Sequence, residues 1–213
     1  MEALYAEHRE QAIQEFTNER LQSYYLSFPS VAEPPFRSLD EARQLLPEYP
    51  TAAFIFAVIA TEVGLKAALL KPIVYGLVHS DSAAGIITDM VIANKGYEKF
   101  RDLLFQILNE YGGIDLKKFS RPGVSKPLWD EIIDVQKKRN QIIHQANVVT
   151  SDESHHAIAV ATSVLEELFP SVITKIGFHI HENGRVCNDW KCKHKELIEE
   201  LKLKGIFKES QKK

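Results

Sequence analysis

Twenty consecutive residues, Thr51 to Leu70, are apolar nearly all the way round, with Phe54, Ile55, Phe56, Val58, Ile59 and Val63 among them. A stretch of that length is either a membrane span or a helix buried on several sides of a folded domain. Glu62 and Lys66 decide between the two. Charges at mid-span are expensive in lipid. A glutamate four residues before a lysine is also the favourable orientation for an ion pair along a helix. The stretch is therefore expected to be the central helix of a soluble bundle, with no membrane partner.

At 213 residues the chain can bury a full core without metals or disulfides to staple it, as a single domain with room for a small appendage. Its 45% hydrophobic and 26% charged content excludes a disordered or low-complexity chain. Two cysteines offer no disulfide framework and suit a reducing cytosol. The first residues, Met1-Glu2-Ala3-Leu4-Tyr5, lack the apolar run of a signal peptide, so a cytoplasmic protein is expected. A net charge of -3 argues against holding long duplex DNA by charge alone, yet leaves room for a local basic patch.

Punctuation by proline, glycine and caps divides the chain. A first helix is expected over residues 2 to 28, ended by the Pro29 to Pro35 stretch. Ser38 and Glu41 have capping-box spacing, which predicts a short helix from Leu39 to Leu46. Pro47 and Pro50 then launch the central helix, and Pro72 and Gly76 mark a break or kink after it. Helices follow over Ser82 to Ala93 and Tyr97 to Tyr111, stopped by Gly112-Gly113. The loop from Ile114 to Pro127 carries Lys117, Lys118, Arg121 and Lys126 with no acid after Asp115. A helix over Leu128 to Asn147 comes next, and a second capping box at Thr150 and Glu153 opens one that reaches Leu168 or beyond.

The last forty residues change character. Ile173 to His181 alternates as a strand does, Asn183-Gly184 is a two-residue hairpin turn, and Arg185 to Trp190 is the return strand. Lys193 to Lys204 is a charged amphipathic helix. The expected fold is all-α: a helical bundle over residues 1–170, with a β-hairpin and terminal helix appended over 171–213.

One segment carries chemistry: Lys137-Lys138-Arg139-Asn140-Gln141-Ile142-Ile143-His144. Asn140 and His144 are four apart and share a helix face, whereas Arg139 lies about 140° round from His144. The arginine must curl back, the helix distort, or a second chain complete the site. The helix also has two apolar rows, one through Trp129, Ile132, Ile133 and Ile143 and another through Val135, Ile142, Ala146 and Val149. One row can serve the core and the other a partner chain.

The segment resembles the Arg-x4-6-His signature of the HEPN superfamily in its common form Arg-Asn-x-x-x-His. The resemblance extends to Glu62-Val63-Gly64-Leu65-Lys66, which is similar to that family's early Glu-x-x-Leu-Lys helix, and covers residues 50 to 170. It implies an HEPN-like helical domain that forms a homodimer, uniting two motifs in one cleft. It also implies a metal-independent endoribonuclease of the toxin–antitoxin or antiviral-defence kind, with a possible antitoxin or regulatory partner. Arg139, Asn140 and His144 would be catalytic, Glu62 supporting, and Lys137 and Lys138 RNA-binding, with no cofactor.

Those residue types suit the chemistry. RNA carries its own nucleophile, the 2′-OH, beside the scissile phosphate. The imidazole of His144 is the side-chain type best suited to proton transfer. Arg139 stays charged and its fork matches phosphoryl oxygens. The products would be a 2′,3′-cyclic phosphate and a 5′-hydroxyl. The lysines and arginine of the Lys117 to Lys126 loop are further candidates for backbone contacts. Two other readings stay open: a non-catalytic HEPN-like module binding RNA, a nucleotide or a protein, and a plain helical interaction domain. HEPN toxins paired with a nucleotidyltransferase antitoxin often carry a tyrosine two residues after the histidine. This chain has Ala146 there, which argues against that branch.

His179, His181, Cys187, Cys192 and His194 invite a zinc reading. A two-residue Asn183-Gly184 turn would pair Ile180 with Cys187 and turn both histidines to the opposite face, so no metal site is expected. His155-His156 is expected to be a wet helix start. The sequence shows no Gly-rich phosphate loop, hydrolase triad signature or dinucleotide fingerprint.

Overall fold

Prolines set the shape of the two central helices without ending them. In a computed structural model, which describes residues 2–78, 83, 86, 90 and 101–193, Pro72 lies inside α3 (Pro50–Leu77) and Pro170 inside α6 (Ser151–Lys175). Each follows a wide π turn, Gly64–Leu70 and Ser163–Leu168. A proline has no N–H to donate and its ring crowds the carbonyl four residues back. The turn before it loosens accordingly: the N–H of Lys71 reaches Lys66 O and that of Phe169 reaches Val164 O, five residues back rather than four. Tyr25 supplies what Pro72 lacks, its hydroxyl donating to Ala68 O at 2.7 Å. The expected break at Pro72 is thus a widened turn in a continuous helix.

The remaining helices pack around this pair. Helix α1 (Glu2–Ser27) lies against the second half of α3, with Leu21 packed beside Gly76. Helix α2 (Glu33–Leu45) begins on Pro34 and Pro35, which suit a first turn whose N–H groups have no helical partner. That start puts Ser38 in the second turn, so the expected capping box with Glu41 does not form. Ser30 instead donates to Glu33 at 2.7 Å. Helix α4 (Arg101–Ile107) runs into a π turn, Leu108–Gly112, against the end of α6. Helix α5 (Leu128–Gln145) follows the basic loop. The capping box at the start of α6 forms as expected: Glu153 N–H donates to the Thr150 hydroxyl at 3.2 Å, and Thr150 N–H to the Glu153 carboxylate at 2.8 Å.

The core lies along the seam of α3 and α6, where Phe54, Leu65, Leu69, Leu165 and Phe169 are buried. Each contributes about 2 kcal/mol by leaving water. The two π turns face one another there, and Gly64 lets Leu165 approach to where a Cβ would sit. By length and composition α3 and α6 could each cross a membrane, and 61% of the most apolar window of each is buried inside the protein.

The expected long strands are short. Ile173 to Lys175 belong to the end of α6, and among the described residues only His179–Ile180 (β1) and Val186–Cys187 (β2) pair, antiparallel. The structure is mostly helical with a small hairpin, as the sequence implied. The helices expected over 82–93 and 193–204 fall almost wholly outside the described residues.

Candidate functional site

Helix α5 is built to present its last turns. Pro127 precedes it, Asp130 and Glu131 stand in its first turn, and Leu128, Trp129, Ile132, Val135 and Ile142 anchor it in the core. It stops at Ala146, whose left-handed φ of 53° turns the chain away and whose N–H bonds back to Ile142 O. Asn140 and His144 are exposed on the outer face, and Arg139 is half-buried. The arginine leans toward that face: its Nη1 donates to Asn140 Oδ1 at 3.2 Å. Asn140 and His144, four residues apart, share one open strip, and Arg139 approaches it at its Asn140 end. Ile143, 54% exposed, and Val148, 80% exposed, add an apolar border.

Glu62 lies half-buried on α3, two residues before its π turn. Among the described residues no hydrogen bond or ion pair joins it to Arg139 or His144.

The basic loop is less free than its sequence suggests, because α5 supplies the missing acids. Arg121 turns inward onto Glu131, which is only 2% exposed, with bonds of 2.9 and 2.6 Å. Arg121 is thus a packing group rather than a surface charge. Lys126 pairs with Asp134, Lys118 with Asp115, and Lys138 with Glu153 at 2.7 Å. Lys117 sits over the Phe105 ring, and Lys137 remains 71% exposed, 3.9 Å from Asp134.

A cavity of about 440 Å³ opens beside Lys138, lined by Phe54, Val135, Asp134, Asp152, Glu153 and His156. His155 sits at a wet helix start as expected, bonded to Ser151 O. The His156 side chain is 41% exposed as well, and its Nδ1 also lies 3.4 Å from Arg121 and 3.7 Å from Glu131. Burial holds its pKa below the usual imidazole value. Sequence reasoning missed these contacts of His156, because the groups that make them come from a loop and a helix more than twenty residues away.

The hairpin corrects the sequence reading most sharply. Its loop spans three residues, Glu182 to Gly184, with His181 N–H bonded to Arg185 O and Gly184 at a φ of 87°. A left-handed glycine at that place is the mark of a three-residue loop closed by a bulge. The register therefore slides by one: His179 faces Cys187, and Ile180 faces Val186. A one-residue slip exchanges the two faces of a strand. His179, His181 and Cys187 now share a face, and Cys192 brings its Sγ to 3.2 Å from His181 Nε2. The ligating atoms of these four side chains all lie within 4.8 Å of one another. His194 lies outside the described residues.

No family model, curated protein or solved structure matches this chain.

Proposed function

We propose that the chain is an HEPN-like, metal-independent endoribonuclease in which Arg139, Asn140 and His144 act on RNA. The observation that carries this is the Arg139–Asn140 bond, which draws the arginine onto the strip that Asn140 shares with His144. The HEPN resemblance of Arg-Asn-x-x-x-His and of the Glu62 helix supports the same reading.

In this scheme the 2′-oxygen attacks the adjacent phosphorus and the P–O5′ bond breaks. A base takes the 2′-OH proton and an acid gives one to the departing 5′-oxygen, so no water is consumed. Arg139 holds the phosphoryl oxygens as charge builds on them. Asn140 accepts from Arg139 through Oδ1, which leaves its amide N–H groups to donate to phosphate. One imidazole acts as acid or as base in a given step. A homodimer supplies both, and Ile143 and Val148 offer apolar surface on which a second copy can seat. Lys137 is placed for the RNA backbone, and Lys138 can exchange Glu153 for phosphate. A role in toxicity or antiviral defence, with an antitoxin or regulator, accompanies this reading.

The pairing of Arg121, Lys126 and Lys138 with carboxylates favours a second reading, a non-catalytic module using the same strip for binding. The test separates them. End-labelled single-stranded and transfer RNAs are incubated with the protein without added divalent ions and under brief EDTA exposure, with folding followed by circular dichroism. Cleavage to cyclic-phosphate ends, lost in folded Arg139→Ala and His144→Ala variants, is expected. Cleavage unchanged in both variants overturns the assignment, and RNA binding without cleavage favours the module.

A further inference from the structure

We propose that His179, His181, Cys187 and Cys192 bind one zinc ion in a closed tetrahedral site that clamps the hairpin to the chain beyond it. The proposal stands apart from the ribonuclease reading and shares no residue with it.

The backbone assembles the ligands. His179 and His181, two apart on β1, project to one side, and Cys187 faces His179 directly across the hairpin. Beyond β2 the chain folds back in a tight turn, with Cys192 N–H bonded to Asp189 O at 3.0 Å and Lys191 N–H to the Asp189 carboxylate at 2.9 Å. That turn returns Cys192 to His181. Asp189 N–H also points at Cys187 Sγ, at 3.4 Å. A backbone donor of this kind stabilises a thiolate and fixes its direction.

The dimensions fit. Zinc bonds of about 2.3 Å to sulfur and 2.0–2.1 Å to nitrogen give tetrahedral edges of roughly 3.3 to 3.8 Å between ligand atoms. The 3.2 Å between Cys192 Sγ and His181 Nε2, and the 4.8 Å limit on the whole set, need only small side-chain adjustments to meet them. Two thiolates and two neutral imidazoles also cancel the charge of a divalent ion. A tetrahedral S2N2 set selects zinc over magnesium or calcium, which prefer oxygen. With four protein ligands no position remains for substrate, so the site is structural.

The site has work to do in the fold. Two strands of two residues each are too short to stand alone. This hairpin is already tied to the α1–α2 junction, where Val186 N–H reaches Pro29 O and Arg185 reaches Ser30. Zinc would lock its other face and fasten the Asp189 to Cys192 turn to it. The metal would thus join the Asp189 to Cys192 turn to a hairpin that its bonds to Pro29 and Ser30 hold on the bundle.

The test uses the full chain, expressed without a polyhistidine tag in zinc-supplemented medium and purified without chelator. Mass-spectrometric metal analysis is expected to find one zinc per chain, released when the two thiols are blocked by a mercurial. Cobalt(II) replacement is expected to give the intense visible bands of a tetrahedral site with thiolate charge transfer. Cys187→Ser and His181→Ala should lose the metal. The cobalt spectrum of the unaltered chain decides the matter even if those variants fail to fold. A folded chain that takes up neither zinc nor cobalt overturns the proposal. So does recovery of a Cys187–Cys192 disulfide as the stable state under reducing purification, or stoichiometric metal retained in a folded Cys187→Ser, Cys192→Ser double variant.

Discussion

Arg121 holds Glu131 by two hydrogen bonds, Nε to Oε2 at 2.9 Å and Nη2 to Oε1 at 2.6 Å. The pair fastens the basic loop to the first turn of α5, the helix that carries Arg139 and His144. Breaking such a pair leaves one charge buried without its counter-charge. Glu131→Ala should destabilise the protein by about 3 kcal/mol. Replacing both residues together, as Arg121→Met with Glu131→Leu, should cost clearly less than the sum of the single changes. Urea denaturation of the unaltered protein, Arg121→Met, Glu131→Leu and the double variant checks this, and additive costs would contradict it.

His156 makes stability fall with acid. Burial, foremost, holds its pKa down; Glu131 and Asp134 oppose this, while Arg121 and Lys126 add to it. The unfolded chain then binds more protons than the folded one, so stability rises with pH across that window. Going down in pH, stability should be lost from about 6.5, the ordinary imidazole value, to the lower folded value and then level off. Asp134 and Glu153, held below their usual carboxylate range by Lys126 and Lys138, add a second loss at more acid pH. Urea midpoints across this range should show a flatter upper limb for His156→Gln. An unchanged slope would show that His156 does not contribute.

Gly64 is needed for the meeting of the two π turns. A Cβ there would stand 2.6 Å from Leu165 Cδ2, and Leu165 is fully buried. Gly64→Ala should therefore cost about 1–3 kcal/mol by overpacking, although alanine is the better helix former. Adding Leu165→Val should recover part of that loss, seen as a higher thermal midpoint in the double variant than in Gly64→Ala alone.

Ala146 ends the candidate catalytic helix at a φ of 53°, where a side chain is strained. Ala146→Gly should stabilise by roughly 0.5 kcal/mol, the relief of strain being partly offset by a freer unfolded chain. Ala146→Val should be worse than the unaltered protein. Equal stability of all three in chemical denaturation would mean that the turn relaxes without strain.

What the sequence revealed depended on how far apart the interacting residues stand. The Thr150–Glu153 cap and the span of α5 are local, and both were legible. Ser38 and Glu41 had an equally good local pattern, but the helix opens at Glu33, with Pro34 and Pro35 in its first turn, nearly two turns earlier. Pro72 signalled a disturbance, while the accommodating π turn and the Tyr25 hydroxyl that serves Ala68 depend on packing between helices. The hairpin was recognised from Asn183-Gly184, yet its loop length was not. One residue of register was enough to hide the four-ligand cluster. Glu131 as the partner of Arg121 was likewise hidden, since neither loop composition nor helix periodicity shows which way an arginine turns. Of the candidate strip, the positions of Arg139, Asn140 and His144 on one helix were legible, whereas the bond from Arg139 to its neighbour Asn140 was not.

The most direct measurement of the central claim is cleavage of an RNA carrying a single 2′-deoxy nucleotide immediately 5′ of a mapped cut. If Arg139 and His144 promote attack by the 2′-OH, that one cut disappears while neighbouring cuts persist, and His144→Ala lowers every cut by about 10²–10⁴-fold. Cleavage that continues at the deoxy position, or that ignores the loss of His144, would contradict the account.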